Sequence, residues 1–294
     1  MAPMMRLFGR LVANAVIPAL LTACSISAPT PTRTSPAEEV PPATIQPSAT
    51  PSETPVTTSP PISSPLPVAS GTVPATPGVQ VEDGLKILVG DGVDLAGTFY
   101  TPEQAAPPWP AVLLLHMAYG NRHDWGDFPQ KLGAAGYAVL TIDLRGHGDS
   151  GGSRDWSKGP QDTAQAWEYL TRLPGVDPQH TAIIGASFGA NLALIQGAAE
   201  ESIRTVVLLS PGLSYFGVSS VGAMKDYGER PVLIVASSED SYAAESSRQL
   251  KQMAKGPAEL QMFDGAGHGI QMFAAQSDLT QQILDWLAQY LQGP

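Results

Sequence analysis

Residues 181–194 read TAIIGASFGANLAL. The first part is an aliphatic run of strand length. The second, from Phe188 onward, reads as a buried helix. The change of period falls on Gly185-Ala186-Ser187-Phe188-Gly189, where a serine stands two residues from a glycine on either side. At a strand-to-helix joint, Gly-x-Ser-x-Gly has a mechanical meaning. The turn is so tight that side chains at 185 and 189 would collide with backbone, and the serine is forced into a strained conformation with its hydroxyl presented. The following helix then points its first N–H groups, and the positive end of its dipole, at any oxyanion formed there. The same residues also fit an ordinary turn with a serine N-cap, so the surrounding sequence has to decide.

Working outward, apolar runs of strand length recur at 110–116, 137–143, 205–210, 231–237 and 259–263. Helical spacing fills 127–135, 161–173, 187–199, 241–254 and 270–291. Two β-rich runs flank Gly90-Asp91-Gly92 and predict a leading hairpin. Alternating strands and helices predict an α/β fold, with a mainly parallel sheet covered by helices on both faces. In such sheets chemistry gathers at the carboxyl ends of the strands.

A serine hydroxyl is too weak an acid to attack unaided; it needs a base, and the base an orienting acid. Of the five histidines, His180 precedes a strand, His123 lies in a loop, His147 sits in a glycine-rich turn and His116 ends a strand. His268, in Asp264-Gly-Ala-Gly-His268-Gly269, follows the last strand and precedes the final helix, at the reactive end of the sheet. For the acid, Glu239 and Asp240 both follow the strand 231–237, and position alone leaves either open. Asp240 also has the place of a helix N-cap.

The order Ser187, acid, His268 is that of the α/β-hydrolase superfamily, and further motifs agree. Leu115-His116-Met117-Ala118-Tyr119-Gly120 resembles that family's oxyanion loop, and Asp143-Leu-Arg-Gly-His-Gly-Asp-Ser150 its D-x-R-G-x-G-x-S turn. GASFGA resembles the nucleophile elbow and GAGHG the catalytic histidine loop. The resemblance covers residues 80–294. It implies Ser187 as nucleophile, His268 as base, and Asp240 as acid with Glu239 as fallback. It further implies the backbone N–H groups of Phe188 and Ala118 as oxyanion donors, with Gly185 and Gly189 framing the elbow. Met117 departs from the glycine that many members carry there, which softens the Ala118 assignment and offers a side chain to the acyl pocket. The resemblance implies a structural His116 and a turn-fixing Arg145. Only residues 211–230 separate two strands where many members insert a lid, so the cap is minimal, as in the compact dienelactone-hydrolase-like branch and in the catalytic domains of prolyl-oligopeptidase relatives. Trp125, Phe216, Met224 and Tyr227 are each candidates for the cleft mouth or for simple packing.

Upstream the composition changes. Half of the 28 prolines lie in residues 28–78, a stretch without a single aromatic residue. Such a segment cannot bury enough apolar surface to offset its ordering entropy. Residues 24–79 therefore read as an extended Pro/Ser/Thr spacer, a candidate for O-glycosylation, and residues 80–294 as the folded domain. Residues 1–23 have Arg6 and Arg10, no acid, and a short apolar run, the layout of a secretory signal. Leu21-Thr22-Ala23-Cys24 resembles a bacterial lipobox, which implies lipidation of Cys24, the chain's single cysteine, and attachment to a membrane. An uncleaved anchor or a plain signal peptide with an incidental cysteine fits the same residues.

The formal net charge of −11, with no basic stripe, excludes a nucleic-acid partner of the usual kind. No Cys/His cluster offers a metal site, and the chemistry implied needs no cofactor. The expectation is an extracytoplasmic, lipid-anchored serine hydrolase acting on a small-molecule ester or acyl substrate. A serine peptidase or amidase, an acyltransferase to a surface polymer and a non-catalytic binding module are the alternatives.

Overall fold

The computed structural model describes residues 78–291. The expected signal segment, the spacer and Cys24 lie outside the described residues.

The hairpin predicted around Gly90-Asp91-Gly92 is formed by β1 (Val79–Leu88) and β2 (Asp94–Pro102). The chain then alternates: β3 (Trp109–Leu115), α1 (Phe128–Ala134), β4 (Ala138–Ile142), α2 (Gly159–Arg172), β5 (Val176–Ala186), α3 (Phe188–Ala199) and β6 (Ile203–Leu209). A small hairpin of β7 (Ser214–Tyr215) and β8 (Val218–Ser219) and a short helix α4 (Val221–Asp226) follow. Last come β9 (Val232–Ser237), α5 (Ser241–Met253), β10 (Ala258–Phe263), α6 (Met272–Ala275) and α7 (Leu279–Tyr290).

Eight strands form one sheet in the order β1-β2-β4-β3-β5-β6-β9-β10. β2 pairs antiparallel with β1 and β4, and the rest of the sheet is parallel. The near-continuous apolar strands are explained by burial on both faces. In β3, Leu113 and Leu115 pack in one core with Ala166, Leu170 and Leu192. Val112 and Leu114 point the other way, into a second core with Phe128, Leu132, Ile283 and Leu287. The side-chain period of two thus splits each central strand between two helical layers.

The chain leaves β3 toward β4 on one side and returns to β5 on the other, so the strand order reverses between β3 and β5. That is the switch point where open α/β sheets bind ligands. Leu115 and Gly185 are register partners there, which places the loop after β3 beside Ser187.

Two elements differ from the sequence reading. The helix expected over 270–291 is interrupted: α6 ends at Gln276, whose backbone is extended, and α7 restarts after Asp278. The polar run Gln276-Ser277-Asp278 competes locally with helical bonding, and Asp278 accepts from the Gln282 side chain at 2.7 Å. Inside the expected minimal cap, the β7–β8 hairpin turns on Phe216 and Gly217, both at positive φ (51° and 82°).

Candidate active site

Ser187 lies at the carboxyl end of the central strand β5, immediately before α3, with φ 54° and ψ −117°. This is a strained conformation for any residue with a side chain. The flanking glycines are needed for the reason the sequence suggests. A Cβ at 185 would stand 2.1 Å from the Gly189 carbonyl oxygen, and one at 189 would stand 2.3 Å from that of Leu115. The first turn of α3 is therefore pressed against both β5 and the end of β3.

Four non-glycine residues have positive φ among the described residues: Tyr119, Ser187, Ser210 and Phe216. All four lie in the loops at the carboxyl end of the sheet around the elbow. Such clustering of backbone strain marks functional sites, because the rest of the fold must hold it in place.

Across the cleft, Asp240 and His268 meet. Asp240 Oδ2 is hydrogen-bonded to His268 Nδ1, while its Oδ1 accepts from the Ala243 amide at 3.4 Å as the N-cap of α5. The two readings of Asp240, helix cap and histidine partner, are both realised, one oxygen each. Glu239 points elsewhere. It accepts from Ser237 Oγ at 2.7 Å and from the Gly265 amide, and the Ser237 hydrogen bond holds its carboxyl below the usual range. Glu239 thus ties the end of β9 to the histidine loop rather than orienting the imidazole. Ser210 Oγ fixes the same loop by accepting from the Gly269 amide at 2.9 Å.

No hydrogen bond joins Ser187 to His268 among the described residues. The polar neighbour of the serine hydroxyl is Tyr215, whose own hydroxyl donates to the Ser210 carbonyl at 3.2 Å and whose ring stands edge-on to His268 at 6.4 Å. Burial, with Asp240 nearby, pushes the Tyr215 hydroxyl well above its ordinary pKa. It stays an O–H donor in alkali as well as at neutral pH. Hydrogen bonds between a nucleophile and its base are often open in a free enzyme and tighten around substrate.

The loop after β3 is set by His116. This ring is fully buried. Its Nε2 accepts from the Leu144 amide at 2.9 Å, so Nδ1 bears the proton and donates to the Met117 carbonyl at 2.6 Å. Burial lowers its pKa to about 4, which keeps it neutral. The Gly120 amide donates to the same Met117 carbonyl at 3.1 Å. In a trans peptide, C=O and N–H point opposite ways, so holding the Met117 oxygen aims the Ala118 N–H away from the ring. Among the described residues neither the Ala118 nor the Phe188 amide donates to a protein acceptor. The Met117 side chain is half-buried. Its sulfur lies where a Cβ on Gly269 would be 2.5 Å away, so the side chain packs against the histidine loop.

Arg145 behaves as the sequence reading expected. It is bound by both oxygens of Asp162, each at 2.7 Å, and of Asp91, at 2.8 and 3.0 Å. Of the four candidate mouth residues, Trp125, Met224 and Tyr227 are buried packing groups, and Phe216 alone is exposed. Phe216 stacks on Trp156 (centroids 4.3 Å, planes 19° apart) beside Phe188 and Tyr119. Tyr119, Trp156 and Tyr215 were not singled out by the sequence. Loop aromatics carry no periodicity, and the one available signal was adjacency, since Tyr119 follows Ala118 directly. No group of three or more His, Cys, Asp or Glu among the described residues is arranged to hold a metal ion.

A doubly covered sheet with a serine elbow at its switch point defines the class of this protein, a serine hydrolase of α/β-hydrolase fold. More narrowly, the family model described as X-Pro dipeptidyl-peptidase (S15 family) matches residues 91–291, and the chain belongs to that family. It is 30% identical over 220 residues to an uncharacterized protein of Mycobacterium tuberculosis, covering 69% of this chain and 75% of that one. It is also 34% identical over 133 residues to the esterase FrsA of Yersinia pestis, spanning 43% of this chain but only 31% of FrsA. Among solved structures, a dienelactone hydrolase from Anabaena variabilis aligns with TM-score 0.60 and 20% identity, over 73% of this chain and all of that one. An acetyl xylan esterase from Paenibacillus sp. R4 aligns with TM-score 0.64 and 16% identity, over 73% and 85%. At these identities the structural likeness speaks for the fold.

Proposed function

We propose that the protein hydrolyses carboxylic esters through an acyl-enzyme on Ser187. In this reading Ser187 Oγ attacks the ester carbonyl and His268 Nε2 takes its proton. Asp240 holds Nδ1–H and stabilises the imidazolium. The Phe188 and Ala118 amides receive the oxyanion. Collapse expels the alcohol with a proton from His268, and water then releases the acid by the same steps. The observation that carries the reading is the pairing of a strained, glycine-framed Ser187 with the Asp240–His268 hydrogen bond at one end of one sheet. The amides without acceptors and the esterase relatives support it.

The test is hydrolysis of p-nitrophenyl esters of increasing acyl length by the wild type and Ser187→Ala, alongside labelling by a fluorophosphonate. Turnover and labelling should both vanish in the variant, with kcat/KM down by about 10⁴-fold or more. Ester turnover that survives Ser187→Ala refutes the mechanism. The matched family description favours a second reading, cleavage of a dipeptide ending in proline from a peptide N-terminus. Xaa-Pro-p-nitroanilides in the same assay separate the two, since the peptidase reading requires turnover of the anilide to exceed that of the esters.

The location we propose is outside the cytoplasm, with the domain tethered through a lipid on Cys24 and the Pro/Ser/Thr stretch as spacer. The Leu21-Thr22-Ala23-Cys24 motif supports it. Cys24→Ser should move the protein from the membrane fraction to the soluble one. An unchanged distribution counts against the anchor.

A further inference from the structure

Beside the elbow, four rings form a corner that folding alone does not explain. Trp156 and Phe216 are stacked face to face. Tyr119 stands nearly perpendicular to both, at 81° and 84°, with centroids 5.6 and 5.9 Å away. Phe188, which follows Ser187 directly, closes the inner side edge-on to Trp156 and Phe216 at 5.0 and 5.9 Å. The Arg154 guanidinium lies over the Tyr119 ring at 5.1 Å and holds it upright. Tyr119 is 65% exposed and Phe216 45%.

Two features point to a ligand. Both exposed rings are carried on left-handed backbone (φ 63° and 51°), where a bulky residue is an outlier. A hairpin turn with positive φ at both central positions favours Asn-Gly, not Phe-Gly. Strain and exposure together run against stability and toward use. The second feature is position. Tyr119 directly follows Ala118, and Phe188 is itself the other residue whose amide receives the oxyanion in the proposed mechanism, so whatever touches the corner is a few bonds from the scissile ester.

We propose that this corner is a substrate subsite for a planar aromatic ring, and that the enzyme prefers esters carrying an aryl group close to the ester bond. The inference rests on the serine-esterase reading above. A flat ring lies face-on to one wall and edge-on to the other at the separations that aromatic pairs favour. A saturated ring of the same size is more apolar but has neither a flat face nor a positive edge. A merely greasy cleft therefore favours cyclohexyl over phenyl, and an aromatic corner reverses that order.

The experiment compares kcat/KM of the full-length protein on two matched pairs in which the ring is insulated from the reacting centre: benzyl against cyclohexylmethyl acetate, and methyl 3-phenylpropanoate against methyl 3-cyclohexylpropanoate. Ethyl acetate serves as the ringless reference. The aryl member of at least one pair should be favoured roughly five- to tenfold. That ratio should fall toward one in Phe216→Leu, which keeps apolar bulk without a face, and in Tyr119→Ala. Ethyl acetate turnover with ratios at or below one in both pairs overturns the subsite and leaves the esterase standing. An aryl preference that persists in both variants also overturns it. Failure to turn over any ester, ethyl acetate included, removes the esterase reading and the subsite with it.

Discussion

Two loops leave the same end of the sheet, with three strands between them, and carry their aspartates to opposite uses. Asp143, at the end of β4, is fully buried and wholly surrounded. It pairs with the Arg122 guanidinium, and its carboxylate accepts from the Arg122 and Asp149 amides at 2.6 and 2.8 Å. Asp240, after β9, keeps a partly exposed side chain and divides it between a helix end and His268. Both oxygens of the Asp143 carboxylate are thus committed to holding its own loop and the Arg122 segment in place. The second loop is tied down by Glu239 and Ser210 around it, which leaves the imidazole edge facing the cleft. A glycine-rich, charged turn is thus a brace in one place and part of a reaction site in another, and the difference lies in which hydrogen bonds are already taken.

The sharpest test of that contrast replaces each aspartate by its amide. Asp240→Asn keeps the cap of α5, since asparagine caps as well as aspartate. It removes the acceptor that fixes the His268 tautomer, so kcat should fall by about 10⁴-fold while the denaturation midpoint stays nearly constant. Asp143→Asn removes the fully buried counter-charge of Arg122, leaving it the more exposed Asp149 at 2.9 Å and Asp83 at 3.4 Å. It should lower the unfolding free energy by up to about 3 kcal/mol, read from denaturant curves, with a much smaller loss of activity in the folded fraction. Equal activity losses in the two variants break the comparison.

The brace extends to His116, and pH reports on it. Its folded-state pKa of about 4 lies below the ordinary 6.5, so the unfolded chain binds a proton that the native ring refuses. This contribution is fully present above pH 6.5 and is lost as pH falls from 6.5 toward 4, at up to about 1.4 kcal/mol per pH unit. His116→Asn should flatten the stability profile in that window by about one proton. Identical slopes for variant and wild type would mean that the ring is not held neutral. In the proposed mechanism the loop after β3 receives the oxyanion, so kcat should also fall as His116 titrates.

What the sequence made legible follows from how local each signal is. The elbow could be read because Gly185 and Gly189 are required by contacts within a single turn and its immediate neighbour strand. The choice between Glu239 and Asp240 could not be read from position, because it depends on Ser237 and Gly265, partners brought near by the fold. The break at Gln276–Asp278 was hidden by apolar spacing that continues on both sides. The β7–β8 hairpin was hidden for a deeper reason: its turn violates the residue preference that would have announced it. The aromatic corner is unreadable for the same cause, since Tyr119 and Phe216 occupy backbone that their chemistry disfavours.

That violation yields the smallest expected effect and the most discriminating one. Phe216→Asn installs the Asn-Gly pair that a turn with positive φ at both centres prefers, relieving strain on the order of 1 kcal/mol. It also removes a ring that stacks on Trp156 and meets Tyr119 and Phe188 edge-on, contacts that on a ring 45% exposed together contribute an amount of similar size, about 1–2 kcal/mol. The two nearly cancel, so the thermal midpoint should move by no more than a few degrees in either direction. If Phe216 is retained for the substrate, the aryl preference disappears in this variant even as the fold remains equally stable. A large loss of stability, above about 2 kcal/mol, would instead make Phe216 a packing residue that happens to be exposed. The corner would then belong with the brace, and the contrast between the two loops would narrow to Asp240 and His268 alone.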